Sequence, residues 1–253
     1  MPRKYSPDST RIRMIALLPI LFMLASCSSD KIIFLYPEEQ MNMALRNLKT
    51  PTIYIDEVTD MRPLEQRTGE GHFFHIKYPK DEAWYRPVTE IYAEALVQDV
   101  EQTQLVEIVS ERSEADYVLS ADLMSVGLEF DRSVTSFLIP TAMGMGAGFL
   151  IGNETSEQVS TGIALSVLAI LAIPMPSHNR AEAEVRLTLK SNQGDILWQE
   201  TCLGESEDRV YITATARQDQ QYVDEYLTVA VKRCNACLVG QMRQALLKLG
   251  GEE

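Results

Sequence analysis

The most regular stretch of the chain is Ala181, Ala183, Val185, Leu187 and Leu189, alternating with Glu182, Glu184, Arg186, Thr188 and Lys190. Side chains on an extended strand point to opposite faces in turn, so this period of two predicts a strand with one face in a core and one in water. Ser191-Asn192-Gln193-Gly194-Asp195 turns the chain back, and Ile196-Leu197-Trp198 starts a partner strand. Upstream, residues 52–58 are β-branched and aromatic and end at the turn Asp60-Met61-Arg62-Pro63. Residues 69–79 read as a polar loop or short hairpin around His72-Phe73-Phe74-His75, residues 105–109 as a strand, and residues 117–130 as a longer one. Pro87 suits a first helical turn, and Val88, Tyr92, Leu96 and Val100 recur every four residues beside Ile91 and Ala95, giving one apolar stripe. A long helix is predicted over residues 220–249, with Tyr222, Tyr226, Val229, Leu238, Met242 and Leu246 among its apolar positions. The order β, α, β, β, insertion, β-hairpin, α predicts an α+β fold, a small mixed or antiparallel sheet backed by helices.

The first 26 residues carry a different pattern. Arg3, Lys4, Arg11 and Arg13 form a basic leader with only Asp8 against it, and an uninterrupted apolar run, Met14 to Leu24, follows. Its eleven residues cover roughly half of a ~30 Å hydrocarbon core, which suits a signal peptide and not a spanning helix. Next comes Leu24-Ala25-Ser26-Cys27, small residues before a nucleophilic thiol. Residues 1–28 resemble the lipobox of signal-peptidase-II substrates. That resemblance implies cleavage between Ser26 and Cys27, with a covalent diacylglycerol and a fatty acyl chain, such as palmitate, on Cys27. Ser28 and not Asp follows the cysteine, which implies sorting to the outer membrane, with the domain facing the periplasm. Residues 27–50 then read as a lipidated N-terminus and tether with one apolar patch, Ile32 to Tyr36, and residues 51–250 as the periplasmic domain.

Removing the leader takes away four basic residues and one acidic one. The mature chain keeps 19 Lys and Arg against 35 Asp and Glu, a formal charge of −16. A surface that acidic repels phosphate backbones, so nucleic acid is not an expected partner. About 225 residues suit one elaborated domain, and the 45% apolar content is ample for a core.

The insertion, residues 136–176, is apolar without a strand period, and no charged residue occurs from Ser133 to Asn153. Its first half, residues 137–152, places Gly144, Gly148 and Gly152 four apart, nearly on one line of a helix, where a second backbone can approach closely. A polar link, residues 153–160, leads to a second apolar run, residues 163–173, stopped by Pro174 and Pro176. Each half holds about 11 to 16 apolar residues, short of the ~20 that a straight span needs. Three readings stand open: a helical hairpin packed on the sheet, one that dips into the bilayer beside the lipid anchor, and an oligomer-forming or pore-lining segment.

The order of elements, with "ADYVLSADLMSV" at 115–126 and "LTLKSNQGDILWQE" at 187–200, resembles periplasmic lipoprotein domains of the CsgG and TolB-N-terminal kind over residues 50–250. That resemblance implies a role class: envelope accessory proteins that bind other proteins, assemble into rings or activate synthases. It transfers no functional residue.

Candidate chemistry is sparse. His72 and His75 lack a visible third ligand, and Gly144-Met145-Gly146-Ala147-Gly148 lacks the Lys-Ser/Thr of a phosphate loop, so neither a metal nor a catalytic residue is assigned. With Cys27 acylated, Cys202, Cys234 and Cys237 remain in an oxidising compartment, where at least one disulfide is expected. Cys234 and Cys237 lie one turn apart in mid-helix, away from the helix N-terminus that a redox Cys-x-x-Cys requires. Cys202 is therefore expected to bridge to one of them, stapling hairpin to helix and leaving one thiol over. The function expected is that of a non-enzymatic, lipid-anchored outer-membrane lipoprotein acting through contacts with envelope proteins, with no cofactor besides its acyl chains. The alternative is a membrane-inserted, homo-oligomeric secretion or channel component, and an enzyme comes third.

Overall fold

The structure is a computed structural model, which describes residues 31–38, 43–44, 50–69, 71–72, 75–151, 155–172, 175–212 and 219–250. The leader with Ser26, the candidate acylation site Cys27, and Gly152 of the insertion lie outside the described residues. Ile32–Glu253 forms one compact unit.

The fold is α+β, an eight-stranded mixed sheet backed by helices. In chain order come β1 (Thr52–Ile55), β2 (Thr59–Asp60), helix α1 (Leu64–Thr68), β3 (Gly71–His72), β4 (His75–Tyr78), α2 (Val88–Thr103) and β5 (Glu107–Ile108). Then follow β6 (Tyr117–Arg132), α3 (Thr135–Ile151), α4 (Thr155–Ala172), β7 (Met175–Ser191), β8 (Ile196–Ile212), α5 (Asp219–Tyr222) and α6 (Thr228–Leu249). Strand β6 is the spine. It runs parallel to β1 and β2 and antiparallel to β4 and β7, while β8 adds on beyond β7.

The strict alternation of residues 181–190 sorts them as a strand should. Ala181, Ala183, Val185, Leu187 and Leu189 have no exposed surface, while Glu182, Glu184 and Arg186 point to the other face. Helices α2 and α6 cover the buried face, α2 with Ile91, Tyr92, Ala95, Leu96 and Val100, and α6 with Val231, Leu238, Val239, Met242 and Leu246. Each fully buried Leu or Val of this layer is worth roughly 1.5–3 kcal/mol relative to exposure, an upper figure because unfolded chains are already partly compact. On the opposite face α1 lays Gln66 against β6 and β7, donating to Ser125 Oγ at 2.6 Å and Glu182 Oε1 at 3.1 Å.

Several boundaries differ from the sequence reading. Residues 32–36 are part of the core and not a free tether: Ile32 is buried and bridges in parallel to Trp84, with Phe34 and Tyr36 packed behind it. The polar link at 153–160 is helical from Thr155 onward, because Ser and Thr do not forbid a helix that tertiary contact supports. Strand β7 begins at Met175, so Pro176 lies inside a strand and does not end a helix. The strand read at 105–109 shortens to two residues, and the last helix opens through a π turn, Val223–Leu227, that seats Val223 and Leu227 fully in the core.

Candidate functional site

Three features make up the candidate site, the first of them at one end of the sheet. That end is marked by Arg132, the last residue of β6, opposite Ser177 of β7 and close to Ile212, the last residue of β8, which pairs with Met175. Helix α3 leaves β6 three residues beyond Arg132, and α4 re-enters the sheet at Met175. Both helices are thus rooted here.

Helices α3 and α4 lie against each other at backbone distance. A Cβ on Gly148 would stand 2.2 Å from Gly162 Cα, and one on Gly144 would stand 2.3 Å from Ser166 Cα. Only glycine fits those positions. Ser166 secures the seam by donating to Thr141 O at 3.0 Å and Gly162 O at 2.8 Å. A Cβ on Gly146, in contrast, would meet nothing within 4 Å. The close approach engages Gly144 and Gly148 within one chain. Away from the seam the pair exposes large apolar side chains, Leu138, Ile139, Met143, Phe149, Leu150 and Ile163, Leu150 at 89%, while the first turns of α4 expose Thr155, Ser156 and Ser160. Among the described residues, no helix is long and apolar enough to cross a membrane.

The second feature is the N-terminal segment. Ile33 N–H donates to Gln220 Oε1 at 2.9 Å, and Gln220 Nε2 donates back to Ile33 O. Gln220 belongs to α5, whose Tyr222 ring packs edge-on to Phe130 of β6 at 5.2 Å. Ile33 therefore sits at the same end of the sheet as the roots of α3 and α4. From there the chain descends toward the middle of the helical layer. Tyr36 donates its hydroxyl to the fully buried Asp99 of α2, which also accepts from Lys232 Nζ at 2.7 Å and Asn235 Nδ2 at 2.8 Å of α6. Asn235 Oδ1 accepts from Tyr92 at 2.8 Å, and Lys232 lies over the Tyr36 ring at 4.1 Å. Burial, and then the Asp99 carboxylate beside it, push the Tyr36 hydroxyl far above its ordinary pKa. The cluster is a charge-assisted lock that ties residues 32–36 to both helices. Sequence reasoning missed it, because Tyr36, Asp99, Lys232 and Asn235 come from three separate elements and none stands in a motif.

The third feature is the staple. Cys202 of β8 is bonded to Cys237 of α6, with 6.1 Å between Cα atoms, which resolves the open choice of partner. Gly204 makes the approach possible, since a Cβ there would fall 2.0 Å from Ala230 O. Cys234 is the remaining thiol. It is wholly buried, hydrogen-bonded to Cys202 O at 3.2 Å, and burial pushes its pKa up to about 12. A thiol so placed is neither a nucleophile nor a metal ligand at neutral pH.

Polar clusters elsewhere are ties within the fold. Arg62, almost fully buried, donates to Asp60 and Asp81 at 2.8 and 2.7 Å on the wall of a cleft of about 410 Å³ that also includes Arg67 and Trp84. Burial works against the Asp60 carboxylate, but the hydrogen bonds from Arg62 outweigh it and hold the carboxyl below its usual range. His75 is held between Asp131 at 2.6 Å and Glu129 at 2.7 Å, and the side chain of His72 lies outside the described residues. Among the described residues no group of three metal-ligating side chains forms.

No protein family and no curated protein matches the chain. Solved structures that the chain matches include a Xanthomonas campestris protein of the DUF330 family, at 10% identity and a TM-score of 0.42, covering 84% of this chain and 96% of that one. A putative neuraminyllactose-binding hemagglutinin homolog from Helicobacter pylori matches at 9% identity and a TM-score of 0.34, over 85% and 91% of the two chains. Lipoprotein GNA1162 from Neisseria meningitidis matches at 6% identity and a TM-score of 0.29, over 77% and 99%. At those scores the class of the fold rests on the sheet and its helices, and the neighbours' roles are their own.

Proposed function

We propose that the protein is a bacterial lipoprotein, acylated at Cys27 and held at the outer membrane with its domain in the periplasm, that acts without catalysis through contacts with other envelope proteins. The observation that carries this reading is the lock on residues 32–36. A signal and lipobox sequence ends five residues before Ile32, and Ile32 is already fixed in the core. A chain built to be held at a surface by its N-terminus gains from such rigid seating, because a load or lipid attached there is passed directly to the folded body. The diacylglycerol and the amide-linked acyl chain together supply three acyl chains, which at about 0.8 kcal/mol per buried CH₂ anchor the protein stably. The alternative of a homo-oligomeric membrane component draws support from the uncovered apolar surface of α3 and α4, though the glycines that suggested a contact between copies are taken up by α4.

Mass spectrometry of the mature protein from its own envelope tests the anchor. The expected N-terminus is Cys27 carrying diacylglycerol and an amide-linked acyl chain. An unmodified N-terminus at another residue overturns the lipoprotein reading, and crosslinking of the acylated protein in its membrane then identifies the contacts.

A further inference from the structure

We infer that the exposed apolar face of α3 and α4 lies in the lipid bilayer, parallel to its surface, as a second membrane attachment beside the N-terminal one. The inference deepens the lipoprotein reading and names what covers this face. Three observations carry it.

The first is placement. Both helices are rooted at the Arg132 end of the sheet, and Ile33 is fastened to Gln220 at that same end. From Ile33 the described chain runs inward to Asp99 and Asn235, then Met43 meets Thr103 and Arg243 far along α2 and α6. Ile32 and Ile33, where the compact unit begins, therefore lie at the end from which α3 and α4 emerge. An anchor five residues upstream can lie no more than roughly 18 Å away at ~3.5 Å per residue.

The second is chemistry. The described surface from Ser133 to Ile151 has no charged side chain, and Leu138, Ile139, Met143, Phe149 and Leu150 form one broad face pointing away from the α4 seam. Ile33 and Leu35 expose further apolar side chains on the segment leading to the anchor, while their neighbours Ile32, Phe34 and Tyr36 turn inward. Apolar surface of this extent on a protein of strongly acidic composition marks a membrane or protein contact. Hydrocarbon needs no polar complement, and this face offers none.

The third sets the orientation. In sequence, Glu154 falls between Ile151, the last residue of α3, and Thr155, the first of α4, and Glu157 is the third residue of α4. Full insertion of the pair would take these two acidic residues into the hydrocarbon with it, where charge is strongly disfavoured. Lying flat, the helices bury their apolar face at the boundary of headgroups and chains, where acidic residues can remain at headgroup level.

The test uses the mature chain beginning at Ser28, which contains the whole compact unit and no acyl group, with phosphatidylcholine–phosphatidylethanolamine vesicles. The protein should co-sediment with them. Leu150→Trp should show emission that shifts to the blue on vesicle addition, beyond the background of Trp84 and Trp198, and quenching stronger with bromines at the 6,7 than at the 11,12 positions of the acyl chain. Leu150→Glu with Ile139→Glu should weaken binding at least tenfold while leaving the circular dichroism spectrum unchanged. Absence of vesicle binding overturns the inference, and sedimentation equilibrium showing a dimer that the Glu pair dissolves would assign the face to a second copy. Deeper quenching by the 11,12 bromines would overturn the flat orientation. Because this protein carries no lipid, failure here leaves the acylation of Cys27 standing, and an unacylated Cys27 leaves this result standing.

Discussion

Adding one methyl group at Gly148 should separate α3 from α4. A Cβ there falls 2.2 Å from Gly162 Cα and 2.3 Å from Gly162 N, against the 3.4–4 Å of ordinary contact, so α4 must retreat by more than an ångström. The obstacle is backbone and cannot rotate out of the way. In isolation Gly→Ala inside a helix gains up to ~1 kcal/mol, and overpacking costs ~1–3 kcal/mol, so Gly148→Ala should range from neutral to about 2 kcal/mol less stable. Gly146→Ala supplies the reference, because it adds the same methyl to the same helix with nothing within 4 Å. The difference between the two variants isolates the clash from the propensity gain. At an m-value of about 2 kcal/mol/M in urea, it corresponds to midpoints about 0.5–1.5 M apart. Amide exchange over residues 135–172 should be read in parallel, since this pair can open without unfolding the sheet. Equal midpoints and equal exchange for both alanines would refute the close approach.

Two further outcomes follow from the helical layer. Lys232→Met should cost about 3–5 kcal/mol by leaving Asp99, wholly buried, without its partner, and should make the chain before Tyr36 more sensitive to protease; a loss under 1 kcal/mol would refute the lock. Non-reducing peptide mapping should join Cys202 to Cys237 and leave Cys234 unlabelled by iodoacetamide at pH 8 until the protein is denatured, whereas rapid native labelling would contradict its burial; loss of the bridge should cost about 3–4 kcal/mol in the chain-entropy model.

The parts of the fold legible in the sequence are those whose signal is local. Alternation gave β7 its faces, Gly194 at positive φ turned it into β8, and the four-residue recurrence from Val88 to Val100 marked the buried stripe of α2. What could not be read is set by partners far away in the chain. Nothing in the five residues 32–36 says that Ile32 will pair beside Trp84, or that Tyr36 will meet Asp99, 63 residues on. The order β5-β1-β6, with parallel pairing, likewise depends on which strand reaches β6 first along an edge and not on any one strand's composition. For the candidate site, the glycine spacing and the charge-free run were visible in advance. The shared end of the sheet that links them to the N-terminal segment was not, since it appears only once Gln220 and Phe130 are placed.

The long ladder between β6 and β7 has a consequence for how the chain finds this fold. The two strands are antiparallel neighbours along their whole length, yet about 40 residues separate them, whereas β7 and β8 are joined by a turn of about four. Closing the longer connection costs about 2 kcal/mol more in chain entropy if it is disordered. If α3 and α4 form early, their seam draws Arg132 and Met175 together and removes most of that difference. The helix pair is then a splint as well as a surface: β7 and β8 can zip at once, and the spine strand joins them at a rate governed by how soon two glycines find their groove.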